Sequence, residues 1–325
     1  MICLGLETTA HTFGVGIISN KGAVLADVKE MYTSSTGIIP GEAAKHHKEA
    51  YQSLIKQAVE TANQKIDLIS FSRGPGMGPC LHVGKQAAIE HGKILECPII
   101  GVNHPAAHLT IGQLMTKVKD PIFLYLSGAN TQVIAIEDKH FRIMGETLDI
   151  GIGNALDKFG RILGFGFPAG PKIEELARKG SYVELPYVVK GMDASFSGII
   201  TKCEKLFKEG ASKEDLCFSL QETLFAMVTE IAERALAHTR KKELILIGGV
   251  GANQRLAGML KVMCEDRGCT FKAVPSKYCT DNGVMIAWQG LLEYQAGRRD
   301  STLEIKPYER IDEVDVIWNH TKQLN

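Results

Sequence analysis

The chain has 325 residues, of which 45% are hydrophobic and 23% are charged, a balance typical of a globular protein large enough for two domains with separate cores. Lysines plus arginines number 37, and so do aspartates plus glutamates, which excludes a strongly basic chain that binds RNA through its net charge alone. No apolar stretch approaches membrane-spanning length, and the eight cysteines include no CxxC pair, so we expect no membrane association and a soluble protein of the reducing cytoplasm.

The first thirty residues predict three strands, ICLGL, GVGII and AVLADV, separated by the polar turn ETTAHTF and the turn SNKG. A helix at about 42–63 follows, and then the strand IDLISF, the glycine-rich turn SRGPGMGP, a further helix and the strand CPIIGV. The residues ETT at 7–9 stand where phosphate-handling folds of this layout often carry an acidic residue, although a surface turn explains them equally well. The adjacent His46 and His47 point in different directions on a helix and are interpreted as surface residues.

The segment NHPAAHLTIG (103–112) begins a helix directly after CPIIGV. Pro105 suits the first turn of a helix, and His104 and His108 are four residues apart, so both imidazoles can project from one face. Two imidazoles at this spacing form half of a site for zinc or iron. Most such pairs bind nothing, so the other ligands must come from elsewhere in the chain.

The chain from residue 121 repeats the plan of the first half, with the strands PIFLYL, QVIAI and FRIMGET, a helix at about 215–239, the strand ELILIG, the turn GVGANQR and the strand CTFKAV. The repeat predicts an α/β protein with a duplicated fold, in which two mixed-sheet domains flank a cleft. We expect a first domain at 1–118 and a second at 119–299, with the tail of about 300–325 returning to the first. In this arrangement the histidine pair of one half meets Asp281 of the other across the cleft.

Several motifs offer nucleotide contacts, and each also has a plainer interpretation. The turn SGAN at 127–130 can aim backbone amides at a phosphate, or it is an ordinary hairpin turn. GGVGANQRL offers Asn253 beside an adenine, or it is a simple turn between a strand and a helix. Asp157 and Glu174 flank a glycine-rich connection and can hold ribose hydroxyls, or they lie on solvated helix faces.

Seven motifs resemble, in the right order, the family of tRNA N6-adenosine threonylcarbamoyltransferases: NHPAAH, LYLSGANTQV, GNALDKFGR, PAGPKIEELARKG, GMDASFSGI, GGVGANQRL and CTDNGVMIAW. The resemblance runs from about residue 1 to 320 and is strongest to the archaeal and eukaryotic branch, the catalytic subunit of the KEOPS complex. It implies the actin-like (ASKHA) fold of sugar kinases and Hsp70, which agrees with the duplication. Two positions depart from the family pattern: Ala129 replaces the second glycine of SGGNTQ, so that turn must accommodate a Cβ, and GGVGAN replaces GGVAAN.

The resemblance implies transfer of a threonylcarbamoyl group from threonylcarbamoyl-adenylate to N6 of the adenosine adjoining the tRNA anticodon, with release of AMP. It also implies one metal ion per chain, iron or else zinc, held by His104, His108, Tyr125 and Asp281; no residue stands out as a general base. The implied contacts of the nucleotide, which is ATP, AMP or the adenylate donor accompanied by Mg²⁺, are Tyr125, Leu126, Ser127, Gly128, Ala129, Asn130, Asp157, Gly170, Glu174 and Asn253.

The implied partners are tRNA, a kinase-like ATPase subunit and the small KEOPS subunits. Because the net charge is balanced, we expect the chain alone to bind tRNA weakly. One alternative is an ATP-binding metalloprotein of the same superfamily that acts as a small-molecule kinase or a scaffold, although a kinase has no use for two histidines and a tyrosine at its cleft. A metallopeptidase is the other alternative, but its HExxH motif needs a glutamate where this chain has Pro105.

Overall fold

The computed structural model describes residues 1–34 and 37–318. The chain divides into two units. Unit 1 comprises Met1–Lys117, Asp138–Phe141 and the described residues from Thr280 to Trp318, and unit 2 comprises Val118–Glu137 and Arg142–Cys279. Each unit contains a five-stranded mixed sheet with helices packed on it, so the predicted pair of mixed-sheet α/β domains is confirmed.

The strands are β1 (Ile2–Glu7), β2 (Thr12–Ser19), β3 (Val24–Met31), β4 (Leu68–Gly74), β5 (Ile99–Asn103), β6 (Ile122–Leu126), β7 (Thr131–Glu137), β8 (His140–Glu146), β9 (Val189–Lys190), β10 (Asp193–Ala194), β11 (Glu243–Ile247) and β12 (Thr270–Ala273). The helices are α1 (Pro40–Ala62), α2 (Gly78–Ile94), α3 (His104–Thr116), α4 (Ile152–Ile162), α5 (Gly170–Ala177), α6 (Ser197–Lys208), α7 (Lys213–Thr239), α8 (Gln254–Asp266), α9 (Ser276–Cys279) and α10 (Gly283–Gln295). Among the described residues, no helix is both long and apolar enough to cross a membrane.

The sheet of unit 1 has the order β3-β2-β1-β4-β5. β1, β2 and β3 form the predicted antiparallel meander, and β4 and β5 run parallel to β1. Successive side chains of a strand point to opposite faces of the sheet. Leu4 and Leu6 of β1 therefore pack in one core with α1 and α2, whereas Gly5 between them faces the backbone of α10.

The sheet of unit 2 has the order β12-β11-β6-β7-β8. The predicted helix at about 215–239 is α7, a largely buried helix that begins where the Ser212 hydroxyl accepts a hydrogen bond from the Asp215 backbone N–H. Three helices, α4, α5 and α6, follow the meander in sequence and precede α7. Among the described residues of unit 1, no helix stands between the meander and α1. The helices α4, α5 and α6 carry part of the large core of unit 2.

The predicted boundary near residue 118 lies within one residue of the observed one, but the segment 280–299 lies in unit 1 rather than with the second domain. The reason is the packing of α10, whose residue Gly283 fits against the backbone of Gly5 and Gly16. The described residues after α10, up to Trp318, also lie in unit 1; residues 319–325 lie outside the described part of the chain.

Candidate metal and nucleotide sites

Three side chains of unit 1 form a potential metal site: ligand atoms of His104, His108 and Asp281 all lie within 4.8 Å of one another. The two histidines stand on the first turns of α3, as the sequence predicts. Asn103 ends β5 and begins this helix, because its side-chain oxygen accepts a hydrogen bond of 3.0 Å from the Ala106 backbone N–H. The two imidazole rings are nearly perpendicular, with their centroids 4.7 Å apart, and the Nε2 atoms of both rings face Asp281 Oδ1.

The Asp281 carboxylate completes this cluster from the loop before α10. Its Oδ1 lies 3.3 Å from His108 Nε2 and 3.6 Å from His104 Nε2. Asn282 fixes the loop, since its side chain caps α10 at the Met285 N–H and donates to the Thr280 carbonyl. Lys29 Nζ also donates to the Asp281 carbonyl over 3.2 Å.

The expectation that Asp281 comes from the other half of the molecule is therefore wrong. His104, His108 and Asp281 all belong to unit 1, because the chain returns to that unit at Thr280 and α10 packs on its sheet. Tyr125 lies in unit 2, at the penultimate position of β6, with only 2% of its surface exposed. Its role as a fourth ligand stays a prediction.

Glu7 stands behind the cluster, fully buried at the end of β1. Its Oε2 accepts a hydrogen bond of 2.9 Å from His104 Nδ1, and its Oε1 accepts one of 2.7 Å from the Thr9 backbone N–H. A metal-binding histidine commonly donates its second ring N–H to a carboxylate, which fixes the tautomer and the ring orientation. The ETT segment is thus buried rather than a surface turn, and Glu7 belongs to the candidate metal site although no spacing pattern in the sequence links it to His104.

The electrostatics of the cluster favour a cation. Burial disfavours the charged form of His104, but the carboxylates of Glu7 and Asp281 outweigh it and raise the pKa of His104 to about 9. At His108 burial dominates and lowers the pKa. Burial also opposes ionisation of Asp281, yet the hydrogen bond to His108 and the charge of His104 hold the pKa of that carboxyl well below its usual range. Buried imidazole nitrogens beside an ionised carboxylate are a donor set that fits a divalent metal.

A second histidine pair, His46 and His47, differs from its interpretation as a surface pair. His47 is fully buried, and its Nε2 donates to the Ala10 carbonyl over 3.0 Å. His46 is half-buried and pairs with Glu30 over 2.9 Å. His47 therefore belongs to the packing of α1 against the β1–β2 turn.

The predicted nucleotide residues lie in unit 2. The turn at 127–130 joins β6 to β7, and two of its amides are used within the turn: Ser127 N–H donates to the Asn130 carbonyl and Asn130 N–H to Ser127 Oγ. The start of α4 packs so closely on this turn that a Cβ at Gly153 would lie 2.8 Å from the Gly128 Cα. Ala129 does not adopt a positive φ, so the turn accommodates its Cβ as predicted.

Asp157, Glu174 and Asn253 each accept a hydrogen bond from a backbone N–H at or next to the start of a helix. Asp157 accepts a hydrogen bond of 2.7 Å from the Ala169 N–H, directly before Gly170 begins α5. Glu174 accepts one of 3.1 Å from the Gln254 N–H at the start of α8, which brings the α5 carboxylate to that helix. These carboxylates are not simply solvated, since both bind backbone N–H groups.

Asn253 caps α8 by accepting from the backbone N–H groups of Arg255 and Leu256 and donates to the Gln221 side chain over 3.0 Å. The glycine turn before it approaches β6 closely: Gly248 has a φ of +101°, and a Cβ there would lie 2.2 Å from the Leu126 carbonyl oxygen. Only glycine fits such a position. The structure thus brings the SGAN turn, the glycine turn and the starts of α4 and α8 together within unit 2, where helix N-termini favour a phosphate.

Comparison with known proteins supports the resemblance. A family model described as tRNA N6-adenosine threonylcarbamoyltransferase matches residues 22–288. The chain is 52% identical over 332 residues to the tRNA N6-adenosine threonylcarbamoyltransferase of Thermococcus kodakarensis, which covers 98% of this chain and 100% of the relative. It is 53% identical over 323 residues to the probable bifunctional tRNA threonylcarbamoyladenosine biosynthesis protein of Methanocaldococcus jannaschii, covering 98% of this chain but only 60% of that longer relative.

Solved structures of low sequence identity share the fold. HypF of T. kodakarensis has a TM-score of 0.64 at 17% identity, over 89% of this chain and 47% of HypF. A ROK family glucokinase from Streptomyces griseus has a TM-score of 0.52 at 11% identity, over 91% of this chain and all of the glucokinase. The predicted actin-like fold is confirmed by these similarities.

Proposed function

The chain belongs to the family of tRNA N6-adenosine threonylcarbamoyltransferases, and on that premise we propose that it transfers a threonylcarbamoyl group from threonylcarbamoyl-AMP to N6 of the adenosine next to the tRNA anticodon. In this reaction the adenosine amine attacks the carbamoyl carbon and a new C–N bond forms. The bond from that carbon to the phosphate oxygen breaks, AMP leaves with the electron pair, and the amine loses a proton. Because the donor is a mixed anhydride, it is already activated, and the protein's main task is to position it.

The observation that carries this proposal is the buried cluster of His104, His108 and Asp281 with Glu7 behind it. A metal ion held by the three ligands, with Tyr125 as the proposed fourth, would polarise the carbamoyl carbonyl as a Lewis acid. Imidazole and carboxylate donors suit iron and zinc, and we expect iron. Glu7 keeps the Nδ1 proton of His104 in place, which leaves Nε2 directed at Asp281.

The nucleotide part of the donor is proposed to bind unit 2. Backbone N–H groups of the glycine turn at 248–253 and of the SGAN turn would meet the phosphate, with Mg²⁺ where ATP binds. Glu174 and Asp157 would accept hydrogen bonds from the ribose hydroxyls, since each is already oriented by one backbone N–H donor. The support for this placement is that α4 and α8 both adjoin the glycine turn within the unit, and that Glu174 of α5 binds the Gln254 N–H at the start of α8.

The proposed partners are a kinase-like ATPase subunit and small subunits that complete a tRNA-binding assembly. Support comes from the balanced charge of this chain, which has 37 basic and 37 acidic residues and so lacks a net field that attracts RNA. The bifunctional relatives of the family are longer than this chain, which spans about three fifths of their length.

The decisive experiment supplies the protein and its partners with threonine, bicarbonate, ATP and unmodified tRNA and detects threonylcarbamoyladenosine by mass spectrometry of digested nucleosides. Asp281→Ala should lower the rate at least about 100-fold, because changes behind a metal ligand already reduce activity by 10–100-fold. Asp266→Ala, which removes an exposed carboxylate at the end of α8, is the matched control and should leave the rate unchanged. Absence of the modified nucleoside with the wild-type protein would refute the proposal.

A further inference from the structure

The tail that follows α10 contacts unit 1 beside the metal-binding helix. Lys306 N–H donates to the Arg73 carbonyl over 2.6 Å, and Gly76 N–H donates to the Pro307 carbonyl over 3.1 Å. At Gly74, which has a φ of +150°, a Cβ would lie 1.9 Å from the Lys306 carbonyl oxygen. The tail backbone therefore lies directly on the turn after β4, in a place that only glycine leaves open.

This contact buries the side chain of Glu309, which is 3% exposed, within a ring of donors. Oε1 of Glu309 accepts from Arg73 Nη2 over 2.8 Å, and its Oε2 accepts from Arg73 Nε over 2.9 Å. Lys306 Nζ lies 3.2 Å from Oε1. A bidentate pair of arginine and carboxylate has a fixed geometry. In this orientation, Glu309 Oε2 can accept a hydrogen bond from one further donor.

That donor is the side-chain amide of Asn103, whose Nδ2 lies 3.1 Å from Glu309 Oε2. Asn103 is fully buried, and its Oδ1 caps α3 by accepting from the Ala106 N–H. The bond to Glu309 therefore fixes which end of the amide faces the helix. His104 is the next residue along the chain, so the orientation of the cap decides where α3 begins and where its imidazole points.

We propose that Glu309 is a positioning residue for the metal site, acting through Asn103 to hold His104 in line with Asp281. The inference rests on the metal ligands of the proposed function and adds the tail of the chain as the element that sets their geometry. A tail carboxylate that only fastened the tail to the sheet would not need a bond to the helix cap.

The structure offers a matched control in the same tail. Asp300 also pairs with an arginine, Arg298 Nη2 at 2.9 Å, and also binds β5, through the Gly101 N–H at 2.8 Å. Its side chain is 12% exposed. Its hydrogen bonds among the described residues go to Gly101 and Arg298, not to Asn103 or to α3.

The test measures Co²⁺ binding to the full chain, by the affinity and by the ligand-field absorption of the bound ion, together with thermal unfolding of the metal-free protein. Glu309→Met keeps the side-chain volume and removes both acceptor oxygens, and we expect it to weaken Co²⁺ binding about tenfold and to change the absorption. Asp300→Leu should leave both within twofold of wild type. If Glu309→Met does not fold, Arg73→Met combined with Glu309→Met removes the buried charge as well and takes its place.

A variant of the cap separates positioning from general stability. Asn103→Ser keeps an oxygen that can cap α3 but has no amide to bond Glu309, so Glu309→Met should have no further effect on Co²⁺ affinity in that background. An equal loss in Asp300→Leu, or an undiminished effect of Glu309→Met beside Asn103→Ser, would overturn the positioning role. Unchanged Co²⁺ binding by His104→Ala would also overturn the positioning role. If the wild-type protein binds Co²⁺ as expected but does not modify tRNA, only the proposed function is contradicted.

Discussion

Gly283 is the position where one added methyl group should disturb both the fold of unit 1 and the proposed metal site. It is the first residue of α10, and a Cβ there would lie 2.0 Å from the Gly16 nitrogen and 2.6 Å from the Gly5 carbonyl oxygen. Both atoms belong to the backbone of the central strands, so neither can rotate away. Gly283→Ala is therefore a change that the structure can accept only by moving the helix.

The size of the movement follows from the contact distance. Ordinary van der Waals contact of a Cβ begins near 3.4 Å, so the first turn of α10 must retreat by about 1.4 Å. Overpacking a core usually costs about 1–3 kcal/mol when side chains can adjust, and we expect at least about 3 kcal/mol here because only backbone faces the new methyl group. Asp281 lies two residues before Gly283, and its Oδ1 is 3.3 Å from His108 Nε2. A shift of this size would separate the carboxylate from the histidines.

Urea denaturation of the metal-free protein measures the loss of unfolding free energy, and Co²⁺ titration under native conditions measures the effect on the site. Gly258→Ala is the control, since Gly258 lies exposed in the middle of α8 and an added methyl group there would have no neighbouring atom within 4 Å. Alanine is the better helix former there and should stabilise the protein by about 0.5–1 kcal/mol. A Gly283→Ala protein as stable as wild type, with unchanged Co²⁺ affinity, would refute the reasoning.

Other predictions concern the nucleotide, acid stability and RNA. Glu174→Ala should weaken AMP binding in calorimetric titration, whereas Glu175→Ala, which removes an exposed carboxylate, should not; equal affinities would exclude the ribose role. Burial lowers the pKa of His47 to about 4. As the pH falls below 6.5, the unfolded chain binds a proton at this histidine while the folded chain does not, so up to about 3 kcal/mol of unfolding free energy should be lost by pH 4. His47→Gln retains a donor for the Ala10 carbonyl, and its urea midpoint should change less over that range; an equally steep change would exclude His47 as the cause. The chain alone should bind tRNA weakly in gel shifts at physiological salt and gain affinity with its partners; tight binding by the lone chain would contradict this.

The periodic parts of the fold could be predicted from the sequence. Most strands of the two meanders are short, mainly apolar runs bounded by polar turns, and α7 carries buried residues at helical spacing over its whole length. The structure also has an asparagine at the N-cap of α3, α8 and α10, at positions 103, 253 and 282, and such a residue is a local signal of a helix start. These signals are local, so they do not depend on which unit an element joins.

The placement of Asp281 could not be predicted from such local signals. The sequence order puts it after the second repeat, and a division into consecutive halves assigns it there. What returns α10 to unit 1 is the fit of three glycines, Gly5, Gly16 and Gly283, whose backbones touch. Glycine inside a strand can mark a close approach of another backbone, so ICLGL and GVGII did contain a signal, but it does not say which helix approaches.

The contact of Glu7 with His104 also could not be predicted from local sequence signals. Its distance from His104 along the chain is 97 residues, and its neighbours in sequence are equally consistent with a surface turn. The two meet because β1 and β5 both run parallel to β4, which places their carboxyl ends at one edge of the sheet. Glu7 ends β1 and His104 follows β5, so the sheet order alone brings an acidic residue to the histidine pair. Given a parallel order for these strands, Glu7 at the end of an apolar strand is better interpreted as a partner of the candidate metal ligand His104 than as part of a solvated turn.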